Sequence, residues 1–412
     1  RLGWAATGPK GALRMTRRLY RRCAVAVHRL ARSVAHRVEA MMPNPKSDRS
    51  EDARPRGETN RIVVFARLPN PTIDYYLTAR LAAPGMPPYR IVDIRDPVID
   101  GLEPDGTFVV VCRYASNKVV TWIERNVERI AGVAFFTDDD LGAVITGREA
   151  RVGYRLFLFA RGVAPLRRLN RHIDKLWVST KPLAESIGGE DTVVLPPAPH
   201  PDVWEIPSEE RRHVRIQDRT EIRVVYHATD VHLREHAFIA PIIGEVLAQR
   251  PDVVFEVTAD NRAGRWWKNM NRVTVLRPTS WPEYLERTRR EPADIALVPL
   301  LHSRANIVRA GTKRIDVVRL GAAGIFSRSP AYGDADGNGE IRLENRRRLW
   351  VEAILRLVDE PDFRREVAKA SRRLVEAASK SAELGIPGLV SPPPIGETAA
   401  ERSAVGGQPS GV

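Results

Sequence analysis

Two cations and a carboxylate follow an apolar run at regular spacing in the C-terminal half of the chain. Arg309, Lys313 and Asp316 are four and three residues apart, and the run Ile295–Leu300 precedes them. The run predicts a buried strand, and α/β sheets bind ligands beyond the carboxyl ends of their strands. If a helix begins near Thr312, the three side chains lie near its positive end, where phosphate binding is favoured. A solvated ion pair on an ordinary helix is the alternative.

Three adjacent carboxylates form a second candidate site. Asp138, Asp139 and Asp140 follow Val133–Phe136, a predicted strand, after the single residue Thr137. Adjacent carboxylates repel one another, so solvent, a metal or hydrogen-bond donors must offset the repulsion. One of the three could cap the next helix. Alternatively, Asp138 and Asp140 could bind an acceptor or act in catalysis, and a metal site is the third option.

A third cluster begins where the predicted strand Glu221–Tyr226 ends. Its polar members are His227, Thr229, Asp230 and His232. A metal explains this spacing poorly, because no Cys or Glu completes a convincing ligand set. The loop after the first predicted strand also lacks the glycines of a dinucleotide fingerprint. We therefore expect neither a metal nor a cofactor.

Short apolar runs alternate with helical patterns along most of the chain, which predicts parallel, doubly wound sheets in an α/β protein. The predicted strands are Arg61–Ala66, Tyr89–Ile94, Thr107–Cys112, Val133–Phe136, Lys175–Val178, Glu221–Tyr226, Asp252–Val257, Val273–Leu276 and Ile295–Leu300. The predicted helices include Ile73–Leu81, Lys118–Ile130, Leu183–Ile187, Phe238–Leu247, Pro282–Arg289, Leu343–Val358 and Phe363–Val375. We expect one Rossmann-like domain over residues 61–205, a second over 206–360, a C-terminal crossover helix over 361–377, and a disordered tail over 378–412.

The net charge of +14 is concentrated at the N-terminus. Residues 1–42 hold ten Arg or Lys and one acid, Glu39, so the remainder of the chain is close to neutral for its size. This segregation, with no alternation of aromatics and Arg, argues against nucleic acid as a partner. The two cysteines, Cys23 and Cys112, are too few for a disulfide framework, so we expect a cytoplasmic protein.

Residues 15–42 carry one apolar stripe flanked by arginines, the pattern of a basic amphipathic helix. Such a helix could lie on an anionic membrane surface, dock on the body of the protein or bind a partner. Peripheral attachment to the inner face of the membrane would follow from the first option. Residues 43–60 are polar and predict a flexible linker, which completes an arm over 1–60.

The segment that starts at Asn306 resembles the nucleotide-sugar segment of group-one glycosyltransferases, which are retaining enzymes of the GT-B fold. Its pattern is Asn306-x-x-Arg309-Ala-Gly-x-Lys313-x-x-Asp316-x-x-x-Leu-Gly-Ala-Ala-Gly-Ile. The resemblance implies that the basic residues serve a donor diphosphate and that Asp316, in place of the family's Glu, binds ribose hydroxyls. The family's earlier Glu would fall at Val308, so the two-glutamate signature is absent and the chain would be a divergent member.

The stretch YHATDVHLREH resembles the Tyr-His-Gly-Thr-x-x-His opening of many C-terminal domains in the same family. This implies that His227, Thr229, Asp230 and His232 surround the phosphates or sugar of the donor. We predict that His227 acts in catalysis together with Asp138 and Asp140, and that Thr229, Asp230 and His232 bind the donor with Asn306, Arg309, Lys313 and Asp316. Together the resemblances imply two Rossmann-like domains facing a cleft. The expected function is metal-independent transfer of a hexose from a nucleotide diphosphate sugar to a glycan or lipid-linked acceptor in cell-surface polysaccharide assembly. The alternative is a catalytically inactive GT-B-like protein that binds the sugar nucleotide.

Overall fold

The computed structural model describes residues 41–47, 57–95, 99, 101–147, 150–188, 192–206, 221–228, 232–333 and 339–389. Within these ranges the strands form two sheets, each of six parallel strands. The first sheet has the order β2-β1-β3-β4-β5-β6, and its strands are β1 (Arg61–Ala66), β2 (Tyr89–Asp93), β3 (Thr107–Cys112), β4 (Gly132–Thr137), β5 (Lys175–Val178) and β6 (Thr192–Val194). The second has the order β12-β11-β10-β7-β8-β9, and its strands are β7 (Ile222–His227), β8 (Val253–Thr258), β9 (Val273–Leu276), β10 (Ile295–Val298), β11 (Ala323–Ser327) and β12 (Ile341–Leu343).

Helices connect the parallel strands, as a crossover connection requires. Those of the first half are α1 (Pro71–Tyr76), α2 (Thr78–Leu81), α3 (Asn117–Arg125), α4 (Leu141–Thr146), α5 (Val152–Leu158), α6 (Leu166–Leu169), α7 (Lys181–Ile187) and α8 (Pro201–Trp204). Those of the second half are α9 (Leu233–Gln249), α10 (Trp281–Arg290), α11 (Arg304–Ile307), α12 (Lys313–Leu320), α13 (Arg347–Asp359) and α14 (Pro361–Lys380). The predicted α/β class with two doubly wound domains is confirmed.

Both faces of the first sheet are covered. In β3, Val109 and Val111 pack into the core on one face, whereas Val110 and Cys112 pack into the core on the other. This alternation explains why the strand is apolar at every position, because a parallel sheet covered by helices on both faces exposes neither. Among the described residues, every helix is too short or too polar to cross a membrane.

The C-terminal part of the chain returns to the first domain. Helix α14 runs to Lys380, and the following residues Ile386 and Leu389 are buried in the core that covers one face of the first sheet. Arg80 of α2 donates to the carbonyls of Ser381 and Gly385 at 3.4 Å each. The predicted disordered tail from 378 is therefore wrong for residues 378–389, because two apolar side chains and a buried arginine hold them in place. Residues 390–412 lie outside the described ranges.

Smaller differences from the prediction concern short elements. The helix expected over Ile73–Leu81 is divided into α1 and α2. Strand β12 occupies a stretch that overlaps the expected start of a helix at Leu343. Part of the expected linker, residues 43–47, hydrogen-bonds to the first domain: Ser47 Oγ donates to the Ile173 carbonyl at 2.7 Å. Residues 1–40 of the basic arm lie outside the described ranges.

Candidate functional site

The predicted cation pair lies at the topological switch point of the second sheet. The strand order of that sheet reverses between β7 and β10, which are hydrogen-bonded neighbours. A crevice opens at such a point beyond the carboxyl ends of the strands. The chain that leaves β10 passes through α11 and reaches Lys313, the first residue of α12. Arg309 lies in the loop between these two helices.

A buried carboxylate, Glu235, organises this crevice from the first turn of α9. Its side chain is 0% exposed and accepts hydrogen bonds from Leu301 N and Asn306 Nδ2, each at 3.1 Å. Its second oxygen lies 3.8 Å from His232 Nδ1. Burial works to raise the pKa of Glu235, but His232 and the Leu301 amide outweigh burial and lower it. The sequence did not single out Glu235, although it lies within the stretch that carried the resemblance.

Arg309 contacts both domains. Its Nη1 lies 3.1 Å from His232 Nε2, and its Nε lies 3.5 Å from Asp139 Oδ1 of the first domain. A guanidinium only donates, so Nε2 is the acceptor and the imidazole proton is assigned to Nδ1, on the side of Glu235. Burial lowers the pKa of His232, and the charge of Arg309 adds to that effect. His232 is therefore a neutral acceptor that orients Arg309.

Asp316 is buried and binds two partners. Its Oδ2 accepts from Lys313 Nζ at 2.8 Å, and its Oδ1 accepts from the Tyr75 hydroxyl at 2.5 Å. Tyr75 belongs to α1, so this hydrogen bond joins the two domains. The resemblance implies that Asp316 binds ribose hydroxyls. In the structure it does bind a hydroxyl, but one that the first domain supplies.

An aromatic cluster surrounds the contact between Tyr75 and Asp316. The Trp281 ring meets Tyr75 edge-on at 5.4 Å and stacks on Tyr284 at 5.6 Å. Trp281 Nε1 donates to Asp74 Oδ2 at 2.6 Å, a second hydrogen bond between the domains. These contacts pack α10 of the second domain against α1 of the first.

His227 ends β7 with both ring nitrogens engaged. Its Nε2 lies 2.8 Å from Glu256 Oε1, and Tyr284 OH lies 3.4 Å from its Nδ1. Arg223 also binds Glu256, at 2.6 Å. Burial lowers the pKa of His227. Burial alone would raise the pKa of Glu256, but His227 and Arg223 lower it to about 2. In the described part of the chain the hydrogen-bond partners of His227 are thus Glu256 and Tyr284, and not the aspartates after β4.

Arg113 holds two of those aspartates in the first domain. It directly follows β3, and its Nη1 and Nη2 lie 3.1 Å from Asp138 Oδ1 and 2.7 Å from Asp139 Oδ2. Nη1 also donates to Thr72 Oγ1, which in turn donates to Asp138 Oδ2 at 2.9 Å. Arg113 has φ 63°, a left-handed backbone conformation that is uncommon for a residue with a side chain and is concentrated at functional sites. No motif in the sequence marks this residue.

The two aspartates have different protonation behaviour. Burial raises the pKa of Asp138. Burial has the same tendency at Asp139, but the charges of Arg309 and Arg113 outweigh it and lower the pKa. Burial works to lower the pKa of Arg113 itself, but the two carboxylates hold it above its ordinary value. A pair of carboxyl groups whose pKa values are pushed apart is the usual arrangement when one of them carries a proton in a reaction.

Asp140 has a different role from its two neighbours. Its Oδ1 accepts from the Ala143 amide at 2.8 Å and caps α4, and its Oδ2 accepts from Ser186 Oγ at 3.2 Å. The structure thus favours the capping role over the catalytic role that the sequence also allowed for Asp140. Among the described residues, Asp138, Asp140 and His227 of the predicted catalytic set share no hydrogen-bond partner.

Two predicted donor-binding residues, Thr229 and Asp230, lie outside the described ranges. In the residues that the structure does describe, no group of three His, Cys, Asp or Glu side chains is arranged to hold a metal ion. A cavity of about 280 Å³ lies between the domains and is lined by Thr180, Pro196 and Arg314, and by Ala310 and Gly311 of the loop that carries Arg309. Arg314 is neutralised there by Glu340 at 2.7 Å.

Solved structures share this architecture. Sucrose-phosphate synthase from Thermosynechococcus elongatus superposes with a TM-score of 0.52 over 79% of this chain and 96% of its own, at 14% sequence identity. The Anabaena protein HepE, in complex with UDP and glucose, gives a TM-score of 0.51 over 78% of this chain and 97% of its own, at 11% identity. No family model and no curated protein matches the sequence. The chain has the GT-B fold, with two Rossmann-like domains that face a cleft.

Proposed function

We propose that the protein transfers a hexose from a nucleotide diphosphate sugar to a glycan or lipid-linked acceptor in polysaccharide assembly. The observation that carries this proposal is the position of Arg309, Lys313 and Asp316 at the switch point between β7 and β10. HepE was solved with UDP and glucose, which supports a sugar nucleotide as the ligand class.

The departing diphosphate is the main chemical demand of such a transfer. Its developing negative charge can be stabilised by positioned cations, which act strongly in a cleft that excludes water. Arg309 is oriented by His232 at 3.1 Å, and Lys313 is held 2.8 Å from Asp316 at the N-terminus of α12. These cations could replace a metal in this role, so we propose metal-independent transfer. The donor phosphates would compete with Asp139 for Arg309.

On the acceptor side, we propose that Asp138 faces the reacting hydroxyl. Burial raises its pKa, which favours a group that takes up a proton over a permanently ionised carboxylate. Thr72 and Arg113 fix its two oxygens. We retain His227 only as a positioning residue, because Glu256 and Tyr284 engage both of its ring nitrogens.

The test is calorimetry with UDP-, GDP-, ADP- and dTDP-sugars on the Lys313→Ala variant. Loss of a charge-assisted hydrogen bond should weaken donor binding by about 1.5–3 kcal/mol, or roughly ten- to a hundredfold. Lys369→Ala is the control, because Lys369 forms a similar i,i+3 pair with Glu366 on the exposed face of α14. Unchanged donor affinity in folded Lys313→Ala would exclude this site.

A binding protein without catalysis is the second candidate, and Val308 favours it. This residue occupies the position of the family's earlier Glu, is 3% exposed and packs in the core of the first domain. At the position of the family's earlier Glu, this chain therefore makes a core contact. Donor affinity without donor consumption, when acceptor extracts are supplied, would establish the binding role.

A further inference from the structure

An apolar helical face in the first domain is exposed. Val152 and Leu156 of α5 are 67% and 64% exposed, and Phe159, in the π-helical turn Phe159–Val163 that continues α5, is 46% exposed. Spacings of four and three residues place all three on one side of the helix. We call these three side chains the α5 face.

Basic residues surround the α5 face. Residues 150–173 contain no Asp or Glu and six arginines, at positions 151, 155, 161, 167, 168 and 171. Arg161 and Arg167 are exposed, and within the described part of the chain their side chains form no ion pair. Among the six, Arg151 pairs with Asp260 and Arg168 with Glu124, so the exposed positive charge beside the three apolar side chains comes mainly from Arg161 and Arg167.

The opposite side of α5 lies against the cleft. Phe157 meets the Tyr114 ring edge-on at 5.1 Å, and Tyr114 in turn carries the Arg113 guanidinium over its ring at 5.1 Å. At the start of the helix, Arg151 pairs with Asp260 of the second domain. Phe157, Tyr114 and Arg113 thus connect α5 to the carboxylate cluster of Asp138 and Asp139.

We propose that the α5 face inserts into the surface of an anionic lipid bilayer, with the flanking arginines at the level of the headgroups. Such surfaces offer apolar area and negative charge together. A nucleic acid would satisfy the arginines but would leave Leu156 in water. The basic arm at residues 1–42 and a second copy of the same face are disfavoured as occupants, because both carry the same sign of charge. This proposal does not depend on the transfer reaction. If the reaction does occur, membrane docking here would bring the cleft close to a lipid-linked acceptor.

A fluorescent probe on the α5 face distinguishes membrane insertion of this face from membrane binding by the basic arm. We would use the full chain with Cys23→Ser and Leu156→Cys, labelled with a polarity-sensitive fluorophore; the remaining cysteine, Cys112, is buried. Phosphatidylglycerol vesicles should shift the emission to the blue, and brominated lipid should quench it. Leu384→Cys is the matched control, because Leu384 is 77% exposed outside this face. A probe at 156 that stays in water while the chain sediments with vesicles would overturn the proposal, as would a shift with RNA alone.

A second variant tests the affinity. Leu156→Ser combined with Phe159→Ser should weaken partitioning into phosphatidylglycerol vesicles by about tenfold or more, since each buried side chain contributes apolar transfer free energy. Val275→Ser combined with Leu384→Ser alters the same kind of exposed side chains elsewhere and should leave partitioning unchanged. Equal losses in both variants would contradict the proposal. Donor affinity, measured by calorimetry, should be the same in all of these proteins. Vesicle binding and donor binding therefore test the membrane proposal and the proposed transfer separately.

Discussion

The two walls of the cleft are built with opposite polarity. In the first domain a buried cation, Arg113, supports two carboxylates that face the cleft. In the second domain buried carboxylates support the polar side chains at the cleft: Glu235 holds Asn306, and Glu256 holds His227. The first wall thus places carboxylates over a cation, whereas the second places a neutral amide and an imidazole over carboxylates. The two walls are matched in charge before a ligand binds at the ion pair between Asp139 and Arg309, which lie 3.5 Å apart.

The largest effect is expected from Arg113→Met. This change leaves Asp138 and Asp139 buried without their cation, which should lower the free energy of unfolding by about 3–5 kcal/mol at pH 7. The difference from wild type should shrink as the pH falls towards about 4, because protonated carboxyl groups need no counter-charge. Urea denaturation at several pH values measures this difference in the free energy of unfolding.

The exposed pair of Arg129 with Asp105 provides the control for that variant. Arg129→Met should change the free energy of unfolding far less than Arg113→Met at any pH, because both partners of this ion pair are exposed to solvent. If both variants lost the same free energy of unfolding, Arg113 would contribute no more than an exposed ion pair. The buried cation would then not be what supports the two carboxylates of the first wall.

Glu256→Gln is expected to rank second and probes the opposite wall. The pKa of Glu256 is lowered to about 2 from 4.5, so its charge stabilises the folded state above about pH 4.5, and this contribution is lost as the pH falls through about 2. The free energy of unfolding of wild type should exceed that of the variant by on the order of 2–3 kcal/mol at pH 7, and the two values should converge in acid. A constant difference across pH 2–7 would contradict the assigned role.

Tyr75→Phe removes a hydrogen bond that crosses the cleft. Asp316 keeps Lys313 but loses the phenol at 2.5 Å, so we expect a stability loss of about 1.5 kcal/mol. If ribose hydroxyls use the same carboxylate oxygen, nucleoside diphosphate affinity should rise while inorganic diphosphate affinity stays unchanged. Calorimetry that shows weaker binding of both ligands would indicate that Tyr75 supports the site and does not compete with the donor.

The smallest effect is expected from Asp139→Asn. Asp139 lies 3.5 Å from Arg309, and loss of its charge should free the guanidinium for diphosphate. We expect a two- to threefold gain in donor affinity, the size of a partly exposed ion pair. A reduced affinity would mean that Asp139 positions Arg309 for the ligand.

The sequence was most informative where local spacing decides structure. Lys313 begins α12 as expected, and the apolar runs became the strands of both sheets to within a few residues. Arg113 and Glu235 were missed because a single charged residue beside a strand or in a helix carries no pattern. Their partners lie 26 and 71 residues away, so only the folded chain reveals them. Ile386 and Leu389 were missed for the same reason, because isolated apolar residues in a polar stretch resemble a tail.

The return of the chain to the first domain has a consequence for how the protein is made. Ile386 and Leu389 fill the same core as β1 and β3, which lie more than 270 residues earlier in the sequence. On the ribosome, the first domain therefore emerges early but cannot complete the core on that face of its sheet until nearly the whole described chain has been synthesised. Until then the nascent protein exposes an apolar surface that a chaperone could recognise, and a chain truncated before residue 386 would retain that surface permanently.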